Sequence, residues 1–150
     1  MTAELKSILD GITLQARKNL EQCGRLMPVA FLIGEKISIV GCPWRNDAEK
    51  ETSLILLRGM AREKEARIVV ILAEAWFAKL PGSLETWDGV PASRRPDKTE
   101  GVMFYIETLD GCWHGQAEIK RTNGKPTFGE VVYSPAGERD ARERLQNILA

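Results

Sequence analysis

The longest uninterrupted apolar run in the chain lies at residues 68–73, and polar and apolar positions do not alternate within it. In a β-strand this pattern is typical of burial on both faces. Glu74 ends the run with a carboxylate, and Trp76 follows two positions later on the same side of the strand. A charge at the end of such a strand requires a partner, water or a function. The end of this strand is therefore the first candidate site.

Two helices are predicted before this strand. Apolar residues at helical spacing indicate the first over residues 3–22, where Thr2 can cap the start and Gly24 can end it. The second is predicted over residues 47–65, preceded by a capping-box pattern. That pattern is formed by Asn46 and Glu49. The apolar stripe of the second helix is wide, which predicts packing under more than one element. The residues that widen it are Ile55, Leu56 and Met60.

Strand and turn patterns fill most of the remaining chain. The dipeptides Gly34-Glu35, Asp110-Gly111 and Asn123-Gly124 each lie between apolar runs, as in tight β-hairpins. The strands predicted around them cover residues 28–33, 36–41, 102–109, 112–121 and 126–133. Hairpin links of this kind join strands that pair antiparallel.

Two further segments complete the predicted fold. Residues 81–100 contain three prolines and two glycines, which predicts a long loop, and residues 136–149 have the apolar spacing of a last helix. The prediction is a single α+β domain over residues 1–150, with a mainly antiparallel sheet of five to six strands and three helices. The element order is α-β-β-α-β-β-β-(β)-α, which resembles the profilin-like fold of the Roadblock type.

Composition argues against several classes of protein. Apolar residues make up 43% and charged residues 28% of the chain, as in ordinary globular domains. Lys and Arg together number 21, as do Asp and Glu, so the formal net charge is zero. A neutral chain argues against a nonspecific nucleic-acid binder. Because the sequence shows neither a membrane-spanning run nor a secretory pattern at its start, a cytoplasmic protein is expected.

The cysteines predict neither disulfides nor a metal centre. Cys23, Cys42 and Cys112 are odd in number and widely spaced, which indicates free thiols. Cys112 and His114 alternate onto one face of a predicted strand, but the chain has no paired-cysteine knuckle. We therefore expect no metal and no cofactor.

The predicted hairpin at Asp110-Gly111 brings a histidine opposite a carboxylate. A two-residue turn there would place Glu107 across from His114, the only histidine. One hypothesis is a ligand-binding or proton-transferring pair, because a carboxylate fixes the tautomer of an imidazole. The other is a surface ion pair of little energetic value.

A motif follows the central strand. Ala73-Glu74-Ala75-Trp76 is succeeded later by Pro96-Asp97-Lys98-Thr99-Glu100. This combination resembles a group of short uncharacterised prokaryotic proteins, whose members often have arginine where this chain has Lys98. The resemblance implies that Glu74, Trp76 and Glu100 form a cluster, and it implies no activity. The alternative is that Glu74 simply lies where the strand emerges into solvent.

A second pattern matches a nuclease arrangement. Asp97, Glu118 and Lys120 fit the spacing Pro-Asp…Glu-x-Lys, in which two carboxylates hold Mg²⁺ and a lysine orients water or stabilises charge. Short patterns of this kind are common by chance. The leading hypothesis is thus a module that binds a protein or small molecule without catalysis. A metal-dependent phosphodiesterase or nuclease is the alternative enzyme, and self-association as a homodimer is a third hypothesis.

Overall fold

A computed structural model describes residues 1–78, 89–136 and 148–149 of the chain. These residues contain two α-helices and seven β-strands, which confirms the predicted α+β class. The helices are α1 (Ala3–Cys23) and α2 (Asp47–Glu63), and a short 3₁₀ turn spans Ala92–Arg94. The strands are β1 (Val29–Ile33), β2 (Ile37–Gly41), β3 (Ile68–Phe77), β4 (Thr99–Thr108), β5 (Gly111–Thr122), β6 (Lys125–Phe128) and β7 (Val132–Pro135).

The strands pair in the order β2-β1-β3-β4-β5-β6, and β7 also pairs with β5. Pairing is antiparallel between β1 and both of its neighbours, and between β5 and both β6 and β7. The mainly antiparallel sheet is therefore confirmed, with seven strands in place of five to six. The extra strand arises because the run predicted over 126–133 is divided into β6 and β7.

The prediction of three helices is not met in the described residues, which contain two. The third was predicted over residues 136–149, and 137–147 lie outside the described part of the chain. Residues 79–88 of the predicted loop region also lie outside it. The remainder of that loop contains the 3₁₀ turn, and its last two predicted residues, Thr99 and Glu100, belong to β4.

The chain divides into two compact units, each assembled from separated segments. Unit 1 comprises Met1–Leu26, Glu74–Val102 and Ala117–Glu130. Unit 2 comprises Met27–Ala73, Met103–Gln116 and Val131–Ala150. A single domain over residues 1–150 stays a prediction.

Helix α1 forms as its pattern predicts. The Thr2 side chain accepts the N–H of Leu5 at 3.1 Å, and Gly24 ends the helix in the left-handed conformation, with φ of 79°. Glycine suits that position because it has no Cβ to oppose a positive φ. Five of the six residues in the predicted apolar stripe are buried, namely Leu5, Leu9, Ile12, Ala16 and Leu20, and the sixth, Ile8, is half-buried. Among the described residues, no helix is both long and apolar enough to cross a membrane.

Helix α2 differs from its prediction in two respects. The Asn46 side chain accepts the N–H of Glu49 at 2.9 Å, but the Glu49 carboxylate turns to the N–H of Arg45, at 2.8 Å, rather than completing a capping box. The wide apolar stripe is met only in part. Met60 packs partly buried against the core, but Ile55 and Leu56 are 58% and 63% exposed, so α2 buries a narrow face.

The core of unit 2 joins this narrow face of α2 to one side of the sheet. The face contributes Leu54, Leu57 and Ala61, and β3 contributes Val69 and Ile71. All five residues at 68–72 are buried, as the uninterrupted apolar run predicts. Burial then stops, since the β3 residues from Ala73 onward are intermediate or exposed.

Two of the turns differ from their prediction, one in position and one in length. The link between β4 and β5 is Leu109-Asp110 rather than Asp110-Gly111, and the hydroxyl of Thr108 holds it by donating to the carbonyl of Gly111 at 3.2 Å. The link between β1 and β2 has three residues, because Ile33 pairs directly with Ile37. The Asn123-Gly124 turn is confirmed, and both residues have positive φ, 53° and 79°.

Gly34→Ala is expected to lower the free energy of unfolding by about 1–3 kcal/mol, because overpacking of a fixed backbone contact costs that much. An added Cβ would lie 2.9 Å from the carbonyl oxygens of both Lys64 and Glu65. Urea unfolding measures the change. Gly11→Ala is the control, since its Cβ meets nothing within 4 Å and alanine favours a helix by up to about 1 kcal/mol. Equal stability of wild type and Gly34→Ala would contradict the close approach.

Candidate functional site

The end of β3 lies in unit 1 and presents Glu74 and Trp76 on the same side of the strand. Both are exposed, and Trp76 retains 45% of its surface. Glu74 makes a hydrogen bond within the unit, because its Oε1 accepts the backbone N–H of Leu26 at 2.6 Å. One carboxylate oxygen thus secures the chain that follows α1.

A lysine side chain of the same unit lies over the exposed ring of Trp76. The Nζ of Lys98 lies 4.7 Å from the centre of the Trp76 ring, within the range of a cation–π interaction. The same ammonium donates to the carbonyl of Ser93 at 2.8 Å. Ser93 belongs to the 3₁₀ turn, so that turn positions the lysine over the ring.

A bidentate ion pair lies on neighbouring strands of the same unit. Arg121, near the end of β5, donates from Nε and one terminal nitrogen to the two carboxylate oxygens of Glu100, at 2.8 and 3.1 Å. The two side chains remain 41% and 33% exposed. Hydrogen bonds from Arg121 lower the pKa of Glu100 below its usual value. Hydrogen bonding to Glu100 raises the pKa of Arg121, and the charge of Glu74 adds a smaller effect in the same direction.

We call these five residues the Trp76 face: Glu74, Trp76, Lys98, Glu100 and Arg121. Three of them were proposed from the motif. Lys98 lies within the same motif but was not assigned a role. Arg121 was missed because its partner Glu100 is 21 positions away in sequence, and no local pattern links the two.

The predicted pair of Glu107 and His114 does not form. Glu107 is 5% exposed, and its carboxylate accepts the backbone N–H groups of Ile148 and Leu149 at 3.0 and 3.2 Å. The ring of His114 instead meets the ring of Tyr105 edge to face at 5.8 Å. Its Nε2 is buried and has no hydrogen-bond partner within the described chain. The displaced turn at Leu109-Asp110 changes which residues face each other, and this accounts for the error.

The three thiols differ in burial and in their contacts. Cys112 approaches the hydroxyl of Tyr105, with 3.7 Å between sulfur and oxygen, and burial raises the pKa of that tyrosine far above its usual value. Cys42 is buried and its thiol donates to the carbonyl of Val40 at 3.6 Å. Cys23 is exposed. In residues 1–78, 89–136 and 148–149, no three His, Cys, Asp or Glu side chains are placed to share a metal ion.

All three residues of the nuclease pattern are exposed. Asp97 is exposed just after the 3₁₀ turn, and Glu118 and Lys120 are exposed on β5. Strand alternation places Glu118 and Lys120 opposite to Arg121, whose side of β5 also carries the buried Ile119. Nothing in this arrangement draws the three groups together, so the nuclease assignment stays a prediction without added support.

The chain matches no family model, no curated protein and no solved structure at a significant level. The resemblances to the Roadblock-type fold and to the group of short prokaryotic proteins therefore stay predictions.

Glu107 should make stability depend on pH. Burial is the main cause of a pKa raised above the usual value of about 4.3. The folded state therefore holds the proton more tightly than the unfolded state. The stability this provides is complete below about pH 4 and is lost as the pH rises through the raised pKa.

The measurement is urea unfolding of the wild type and of Glu107→Gln across that pH range. The stability of the wild type relative to the variant should fall as the pH rises. Glu118→Gln removes a carboxylate at an exposed position and is the matched control. A difference for Glu107→Gln that is flat, or that grows with pH, would show that the buried carboxylate is not the cause.

Proposed function

We propose that the chain is a binding module for a partner protein, with the Trp76 face as its contact surface. The observation that supports the proposal is an exposed tryptophan, covered in part by Lys98, in the same unit as a half-exposed bidentate Glu100–Arg121 pair. Tryptophan and arginine are the residues most enriched among those that dominate binding energy at protein interfaces.

The exposure of the face favours a protein over a small ligand. A ring with 45% of its surface accessible is presented outward, whereas ligand sites enclose most of the molecule they bind. The face also carries two carboxylates, one ammonium and one guanidinium, which suit the mixed polar contacts around an aromatic anchor.

A partner that covers this face would strengthen the contacts already present. Surface ion pairs contribute little in water, because solvent screens them. Exclusion of water lowers the effective dielectric constant, so the Glu100–Arg121 pair and the Lys98–Trp76 contact would both gain. Binding would therefore stiffen the face without a new fold.

Trp76→Ala is expected to weaken the complex by about 2 kcal/mol or more, the usual cost of losing a dominant interface residue. The purified chain first serves as bait to capture a partner from its own cell extract, and calorimetry then compares variants. Leu109→Ala is the matched control, because Leu109 is an exposed apolar residue of unit 2, 74% accessible. The control should bind as the wild type does. Equal binding by Trp76→Ala, or turnover of a substrate lost in Glu74→Ala, would contradict a non-catalytic protein-binding role.

The edge of the sheet supports self-association as a second function. Gly34 donates to the carbonyl of Lys36, and Cys42 donates to the carbonyl of Pro28. Because antiparallel bonds alternate along a ladder, the odd residues of β2 point their backbone groups away from β1. These include Ile37 and Ile39, whose side chains are 62% and 67% exposed. An apolar edge strand with outward backbone groups is a template for pairing with another strand.

Ile39→Lys is expected to abolish self-association, because a charge on an edge strand opposes pairing. Light scattering and sedimentation over a range of protein concentrations measure the mass. Val132→Lys is the control, since Val132 is also an exposed strand residue, 65% accessible. A wild type that stays monomeric at the highest concentration would eliminate the homodimer.

A further inference from the structure

A cleft of about 560 Å³ lies in unit 2, and its lining shares no residue with the Trp76 face of unit 1. The turn between β1 and β2 forms one side, and the segment linking α2 to β3 forms the other. Its lining residues are Gly34, Glu35, Lys36, Ser38, Lys64, Glu65 and Arg67. We call it the Gly34 cleft. Its volume is typical of small-molecule sites, which usually measure about 300–1,000 Å³.

Backbone contacts fix the floor of the Gly34 cleft. Any side chain at position 34 would collide with the carbonyl oxygens of Lys64 and Glu65, so only glycine permits this approach. The N–H of Arg67 then donates to the carbonyl of Ile33 at 2.8 Å, which joins the two sides. Glu65 reverses the chain between them with a φ of +50°, a conformation that few residues other than glycine adopt. The cleft is thus set by main-chain geometry.

The charges of the cleft indicate the chemistry of its ligand. Three cationic side chains meet two carboxylates and the hydroxyl of Ser38. In the part of the chain described, neither Lys36 nor Lys64 has an ion-pair partner. The backbone N–H groups of Gly34, Glu65 and Arg67 are all committed to carbonyls. Donors for an anion therefore come from side chains, and the carboxylates remain to accept from hydroxyl groups.

We infer that the Gly34 cleft binds a small phosphorylated metabolite that also carries hydroxyl groups. Lys36, Lys64 and Arg67 would hold the phosphate, since charge-assisted bonds to phosphate are among the strongest that side chains form. Glu35 and Glu65 would accept from the hydroxyls. A nucleic-acid strand fits less well, because it requires an extended basic surface and the lining here has a net charge of only plus one.

The test is calorimetric titration of the full chain at low salt with three probes: ribose 5-phosphate, ribose and inorganic phosphate. Ribose 5-phosphate should bind at least tenfold more tightly than either of the others, since it alone engages both sets of charges (~10-fold is 1.4 kcal/mol). Lys36→Ala and Lys64→Ala should each weaken it by roughly tenfold, the value of one charge-assisted bond. Lys18→Ala, at an exposed lysine of unit 1, is the matched control and should change nothing.

Three results would overturn the inference. One is the absence of heat from ribose 5-phosphate at about 10 mM, tenfold above a dissociation constant of about 1 mM. Another is inorganic phosphate binding as tightly as the sugar phosphate, which would leave no role for the carboxylates. The third is full binding in both lysine variants, which would place the ligand elsewhere. Because both lysines are exposed, the variants should keep the unfolding midpoint of the wild type, and this is checked in the same experiment.

Discussion

Five successive apolar residues at positions 68–72 impose the main constraint on this chain. They are all buried, so both faces of β3 have to be covered by other apolar side chains. On one face the cover comes from Leu54, Leu57 and Ala61 of α2. The backbone of the same residues pairs antiparallel with β1, from Ile33 opposite Ile68 to Val29 opposite Leu72. The strand β3 therefore takes part both in the pairing of the sheet and in the packing of α2.

The point at which β3 ceases to be buried determines where on this strand a site can form. Once the apolar run stops at Glu74, the strand continues to Phe77 with alternating exposure. A strand that carries on past its buried section presents ordered, regularly spaced side chains to solvent. Trp76 lies within β3, which pairs with β4, and Lys98 and Arg121 are each held by two contacts within unit 1. Rigid presentation of this kind is what a binding surface requires.

Local pattern was sufficient wherever the deciding forces act over a few residues. The stripe of α1, its Thr2 cap and the Asn123-Gly124 turn depend on neighbours in sequence, and the structure confirms them. The Leu109-Asp110 turn was misplaced because the Thr108 hydroxyl stabilises a different pair of turn residues.

Errors at the sites arose from contacts distant in sequence. Glu107 was predicted to pair with His114 at the surface. It is instead a buried acceptor, because Ile148 and Leu149, 41 and 42 residues away, donate their N–H groups to its carboxylate. Arg121 was not predicted either, because its partner Glu100 is 21 positions away in sequence. Periodicity specifies which side of a strand a residue occupies, but it does not specify what lies opposite that side.

The two proposed surfaces differ in how their charges are balanced, and this sets how each would bind. On the Trp76 face, Lys98 and Arg121 are already ordered by partners within the chain, so a protein that docks there loses little side-chain entropy. Its charges are matched, and salt should affect its affinity weakly. In the Gly34 cleft, Lys36 and Lys64 have no ion-pair partner among the described residues, so an anionic ligand has to order them. The binding free energy there is mainly electrostatic and is strongly screened by salt. The affinity of the Gly34 cleft should therefore fall steeply as salt concentration rises, whereas that of the Trp76 face should not.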